Sequence, residues 1–312
     1  MKTSDRPFRL VLWSQPTLLL VSVLMAWMVE GQTLFAGEAE IVTALKEKGA
    51  TATESAGKVI GLSVDGSKLI DTDFDQIGKL TDLKTLSVGK IIDDRRLAQL
   101  AHLADLESLS TNGATISDKG LEALAGLKKL RGLTFFHPGP GFTGSGLSHF
   151  SDVKNLTVGG SSTFGDEGMA AIATMSELEG LRIWHAQPTS EGIKKLVALK
   201  KLKSLVLGQR LSSKAPACPN DETLATLSQL KSLESLQLSE ARLSFNALQQ
   251  LKELPSLKRL TLDNVELSDG VLDRLKKELP KVDIKWTEPS SGALKRIGEL
   301  FGPSPVGSDP SK

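Results

Sequence analysis

A phrase of about 24 residues recurs nine times between positions 59 and 287, and nothing else in the chain limits its possible folds so severely. The clearest copy opens with Leu106 and Leu109, passes through Thr111 and Ile116, and closes with Leu121, Leu124 and Leu127. Copies begin at Val59, Leu83, Leu106, Leu130, Val153, Leu178, Leu202, Leu233 and Leu257, at intervals of 24, 23, 24, 23, 25, 24, 31 and 24 residues. Inside each copy the apolar period switches from alternation, as at Leu86 and Val88, to steps of three, as at Leu97, Leu100 and Leu103, so a strand is followed by a helix. The fourth copy keeps only Leu147 and Phe150 of its helical triplet, and a shortened helix is expected there.

Asp71, Asp94, Asp118, Asp166, Asp221 and Asp269 each stand three residues before the first helical apolar position. A carboxylate there can cap unpaired helix amides, and capping is the role assigned to this row, with Ser190 taking it in the sixth copy. Gly144 and Phe245 depart from the pattern.

The strand, turn and helix unit, and the phrase Ile116-Ser-Asp-Lys-Gly-Leu-Glu-Ala-Leu-Ala-Gly-Leu127 in particular, resemble the leucine-rich repeat family as found in exported bacterial proteins. The resemblance covers residues 59–287. One such unit cannot bury its leucines alone, so the copies must stack. The expected fold is α/β, a right-handed leucine-rich repeat solenoid or horseshoe with a concave parallel sheet and convex helices. Glu38 to Lys48, with Ile41 and Leu45 on one face, predicts an amino-terminal capping helix, residues 49–58 a polar connector, and Val282, Ile284 and Trp286 a closing strand. Residues 288–312 form a carboxy-terminal tail in which Gly292 to Phe301 suits a short amphipathic helix and Gly302 to Lys312 suits disorder.

Lys2, Arg6 and Arg9 precede an apolar run from Thr17 to Val29, then Leu34-Phe35-Ala36, which is the layout of a secretory signal over residues 1–36. Cleavage after Ala36 leaves an exported, periplasmic or extracellular protein with no stable membrane span; the alternative is an uncleaved anchor from Leu10 to Val29. Beyond Ala36 basic and acidic residues balance, which argues against a nucleic-acid partner. The one cysteine, Cys218, excludes an internal disulfide and is expected either as a free thiol or paired with another chain.

Residues between the core positions of each strand face the ligand side. One row reads Ser87, Ser110, Thr134, Thr157, Arg182, Val206, Gln237 and Thr261; the next reads Gly89, Asn112, Phe136, Gly159, Trp184, Gly208, Ser239 and Asp263. Phe136 and Trp184 flank Gly159 two strands apart, so their rings are expected about 10 Å from one another, framing a glycine-floored cleft. His137, Arg182 and His185 stand beside it as polar contacts. The two histidines are too far apart to share an ion, and no third ligand accompanies them, so no metal is assigned. Gly139-Pro-Gly141-Phe-Thr-Gly144 matches a dinucleotide fingerprint in letters only, because the helix after it is too short and no acidic residue follows at the right distance. These glycines are expected as a loop insertion, and no cofactor is assigned.

The chain contains no nucleophile elbow, HExxH pair or phosphate loop, which excludes the readable enzyme classes and leaves no catalytic residue to name. The reading is a noncatalytic binding or scaffolding module holding a protein or peptide, with a glycan as the other option. A structural envelope component, or an enzyme with an unrecognised site, are the competing readings.

Overall fold

The computed structural model describes residues 37–90, 92–209 and 217–303. Residues 1–36, on which the expected secretory signal falls, residues 210–216 of the long seventh copy, and the tail from residue 304 onward lie outside the described residues. Residues 37–47 form helix α1. Contacts divide the chain into Met1–Ala44 and Leu45–Lys312, and the second unit carries the repeats.

That unit is a leucine-rich repeat solenoid built on one sheet of eleven strands ordered β1 to β11 along the sequence. The strands are β1 (Thr51–Ser55), β2 (Lys58–Asp65), β3 (Thr85–Gly89), β4 (Ser108–Asn112), β5 (Gly132–Phe136), β6 (Asn155–Gly159), β7 (Gly180–Trp184), β8 (Ser204–Leu207), β9 (Ser235–Ser239), β10 (Arg259–Asp263) and β11 (Asp283–Thr287). From β2 onward every pairing is parallel and in register. Leu62, Leu86, Leu109, Leu133, Leu156, Leu181, Leu205, Leu236, Leu260 and Ile284 therefore stack as one apolar column. A second column runs beside it through Val88, Phe135, Val158, Ile183 and Leu238, every one buried. Registry is strict because a one-residue slip would turn both columns outward.

One pairing is antiparallel. Residues 49–58, expected as a connector, contain β1, which pairs with β2 from Thr51↔Ser63 to Ser55↔Lys58. Ala56 and Gly57, both at positive φ, make the two-residue turn that suits a hairpin. The hairpin covers an edge that the first repeat would otherwise leave open.

The helices α2 (Asp71–Ile77), α3 (Asp94–Gln99), α4 (Asp118–Glu122), α5 (Asp166–Ile172), α6 (Ser190–Lys194), α7 (Asp221–Leu227), α8 (Phe245–Leu248) and α9 (Val271–Glu278) follow their strands. In the fourth copy the helix shrinks to a single 3-10 segment, Ser145–His149.

The aspartate row does not cap its own helices. Asp94, Asp118, Asp166 and Asp221 are the first helical residues, and the capping side chains belong to Asp93, Ser117, Thr189, Asn220 and Ser244. An extended residue just before the helix turns its side chain back onto the second or third amide, whereas a residue already helical points sideways toward the neighbouring rung. Asp94 accepts from the amide and hydroxyl of Ser117 at 2.7 and 2.5 Å, and Asp166 from those of Thr189 at 2.7 and 2.6 Å. Asp221 accepts from the Ser244 amide at 2.9 Å. Asp94, Asp118, Asp166 and Asp221 are thus clasps, each holding the start of the next helical segment, while Asp71 pairs with the Arg95 and Arg96 side chains instead. A Cβ at Gly120 or Gly192 would collide with the clasping carboxylate of Asp94 or Asp166, which explains a glycine at the third position of each of these two clasped helices.

At the far end Trp286 Nε1 donates to the Val265 carbonyl at 2.8 Å, and helix α10 (Ser291–Phe301) turns back with Ile297 fully buried. Arg242 Nη1 donates to the carbonyls of Phe301, Gly302 and Pro303, while its Nε pairs with Glu266 at 2.9 Å.

Candidate functional site

The outward row at the carboxyl ends of β5, β6 and β7 places Phe136, Gly159 and Trp184 side by side, as the alternation requires. The open cleft is absent. The ring centroids of Phe136 and Trp184 are 5.2 Å apart with planes inclined at 55°, so the rings lean inward and meet above Gly159. A Cβ on Gly159 would sit 3.0 Å from Trp184 Cε2 and 3.1 Å from Phe136 Cδ1. The roughly 10 Å spacing of alternate strands holds for the backbone, but two large side chains over a bare glycine bury more surface by closing on one another than by standing upright. What remains is a platform: both rings are half-buried, and Gly159 beneath them is buried.

The residues beside the platform are held by the same rungs. The Arg182 guanidinium, exposed in the central row, lies 5.4 Å from the Trp184 ring centroid. His137 and His185, each one residue past its strand, take positive φ of 47° and 49°. Their amides continue the ladder onto the carbonyls of Gly159 and Gln209 at 2.9 and 3.0 Å. His137 Nδ1 lies 3.3 Å from Asn112 Oδ1, and His185 Nε2 lies 3.9 Å from Glu240 Oε1. Glu240 also faces Arg296 of α10 at 3.2 Å. Contact with His185 chiefly, and the charge of Arg296, hold the Glu240 carboxyl below its ordinary value against the opposing effect of burial. Glu240 and Arg296 join the His185 end of the site to the carboxy-terminal helix, a link that no local pattern announces because it spans β7, β9 and α10.

The glycine-rich segment after β5 is part of the core. Phe142 is fully buried against Phe135 and Phe164. The amides that a phosphate would need are directed at Asp118, whose carboxylate accepts from Thr143 N, Thr143 Oγ1 and Gly144 N at 2.8 Å each and from Gly146 N at 3.2 Å. Among the described residues no group of three or more His, Cys, Asp or Glu side chains is placed to hold a metal. Cys218, expected as a possible link to another chain, is 3% exposed with its Sγ 3.8 Å from Thr223 Oγ1, so it is turned into the fold. A separate cavity of about 350 Å³ lies between Asp221, Arg242, Ser244, Glu266 and Phe301. Its one cation, Arg242, is already engaged by Glu266 and three carbonyls.

No family model and no curated protein matches the chain. Among solved structures it is similar to an internalin, InlF, of Listeria monocytogenes, with 23% identity and a TM-score of 0.51 over 74% of this chain and 58% of that one. It also matches internalin C2 of the same organism (20%, TM-score 0.44, 70% and 84% covered) and a leucine-rich repeat protein of Leptospira interrogans (21%, TM-score 0.37, 68% and 68%). The chain thus spans little more than half the length of InlF, and the likeness concerns the fold, which is that of the leucine-rich repeat proteins.

Proposed function

We propose that this protein is a noncatalytic recognition module that holds a protein or peptide partner against the outward face of its sheet, centred on Phe136, Gly159 and Trp184 and bordered by His137, Arg182 and His185. One observation carries the reading. Across β3 to β6 the central outward row holds only serine and threonine, yet the row beside it raises two large aromatic rings into contact at the sheet surface. Such rings are costly to leave half-wet and supply large contact area at a small cost in ordering, which is how binding faces use them.

The basic and apolar pattern of residues 1–36 supports action outside the cytoplasm, periplasmic or extracellular. No helix among the described residues is long and apolar enough to cross a membrane. The test is a pull-down from envelope extract comparing wild type with Phe136→Ala/Trp184→Ala, folding being checked by circular dichroism. A specific partner retained by wild type and lost by the double variant is expected. Equal capture by both removes the platform from the reading, and a partner that is a polysaccharide assigns the face to glycan instead.

A further inference from the structure

Charge is distributed unevenly along the sheet although the chain beyond Ala36 is balanced. On β4 to β8 the outward rows contain Ser108, Ser110, Asn112, Gly132, Thr134, Asn155, Thr157, Gly180, Ser204 and Val206 around the platform, and one ionised side chain, Arg182. Arg182 lies against Trp184, and among the described residues no carboxylate forms an ion pair with it. The residues leading into β5, β6, β7 and β8 are Arg131, Lys154, Glu179 and Lys203. Glu179 is shared between Lys154 at 3.4 Å and Lys203 at 2.7 Å, and Arg131 donates to the backbone carbonyls of Lys128 and Leu130. Counting these four strands and the residues that flank them, Arg131, Lys154, Arg182 and Lys203 stand against Glu179, a surplus of three positive charges on the stretch of sheet that bears the platform, three of the cations lying at the strand entries. On the last three rungs the sign reverses, with Glu234, Glu240, Asp263, Asp283 and Glu288 against Lys258, Arg259 and Lys285.

We infer that the partner segment is an acidic peptide: a flat apolar side chain resting on the Phe136–Trp184 rings, with a carboxylate next to it that pairs with Arg182. This deepens the proposed function and rests on it. The cation already lies 5.4 Å from the Trp184 ring centroid, so the indole steadies the guanidinium, and its planar fork of N–H groups matches a carboxylate two by two. The cations leading into β5, β6 and β8 favour further acidic residues along the segment and speed its approach at low salt.

The experiment uses the full chain without its signal and three alternating decapeptides, Glu-Pro, Gln-Pro and Lys-Pro, read by calorimetry at low and moderate salt. Proline supplies a compact apolar ring on an extended backbone, and Glu-Pro and Gln-Pro are near-isosteric peptides that differ in charge. The Glu-Pro peptide is expected to bind at least about tenfold more tightly than Gln-Pro, with Lys-Pro weakest. Arg182→Gln should remove that preference and Arg182→Lys should keep most of it, while Phe136→Ala/Trp184→Ala weakens Glu-Pro and Gln-Pro alike. Equal binding of Glu-Pro and Gln-Pro, both lost in the aromatic double variant, overturns the charge assignment and leaves the platform standing. Peptide binding indifferent to the double variant, or no peptide binding at all, overturns both. Polygalacturonate bound in place of every peptide assigns the cation to an acidic glycan and overturns the peptide assignment.

Discussion

Replacing Asp118 by alanine tests the clasp mechanism at its most heavily used point. Its carboxylate receives three amides and a hydroxyl from the fourth copy, where the helix is a mere 3-10 segment and has the least structure of its own. Gly144 and Gly146 are buried, so alanine strands at least two buried amides, each costing about 1–3 kcal/mol, while the half-buried Thr143 recovers part of its loss from water. The expected destabilisation is about 3–4 kcal/mol in urea unfolding followed by far-ultraviolet circular dichroism. Asp118→Asn keeps one acceptor oxygen but turns an NH₂ toward an amide, and should cost about half as much. Asp269 supplies the internal control. It sits at the same sequence position of the ninth copy but is exposed, before the cap residue Gly270 of α9, and Asp269→Ala should cost less than about 0.5 kcal/mol. Equal losses for Asp118→Ala and Asp269→Ala, or a loss under about 1 kcal/mol for the former, would refute the clasp.

Thr111 stands in the second core column, 1% exposed and with no partner for its hydroxyl, so Thr111→Val should stabilise by about 1 kcal/mol, read as a rise in the urea midpoint. Gly159→Val should wedge the rings apart and reduce the near-ultraviolet signal of Trp184 with little change in far-ultraviolet signal; an unaltered near-ultraviolet spectrum counts against ring contact. The Glu240 carboxyl titrates below its ordinary value of 4.5, so its share of stability is complete above that value and is lost as pH falls below it; hydrogen exchange in α10 should accelerate over that acidic range, and Glu240→Gln should abolish the acceleration. Cys218 should resist a thiol reagent in the native chain and react on denaturation, and immediate labelling would place it at the surface.

The two core columns, the shortened fourth helix, the carboxy-terminal helix and the outward position of Phe136, Gly159, Arg182 and Trp184 were all legible before any coordinates. Each follows from a local period of two or three to four, and local periods are written in consecutive residues. The hairpin strand β1 was not, because five mostly polar residues, Thr51 to Ser55, show no apolar alternation and gain their partner only once β2 presents an edge.

The aspartate row and the aromatic pair mark where such reading ends. Asp118 carries the same letters whether it caps its own helix or grips the next rung, and the choice depends on which amides the neighbouring repeat brings within about 3 Å. Likewise Phe136 and Trp184 are assigned to one face by alternation, but whether their rings part or touch depends on what the strand between them leaves unfilled. Amino-acid order settled which side of the sheet each residue occupies, since that is a property of the backbone pleat. Distances between side chains 25 or more positions apart came from the packing of one rung on another, because they depend on the shapes of residues that are neighbours only in space.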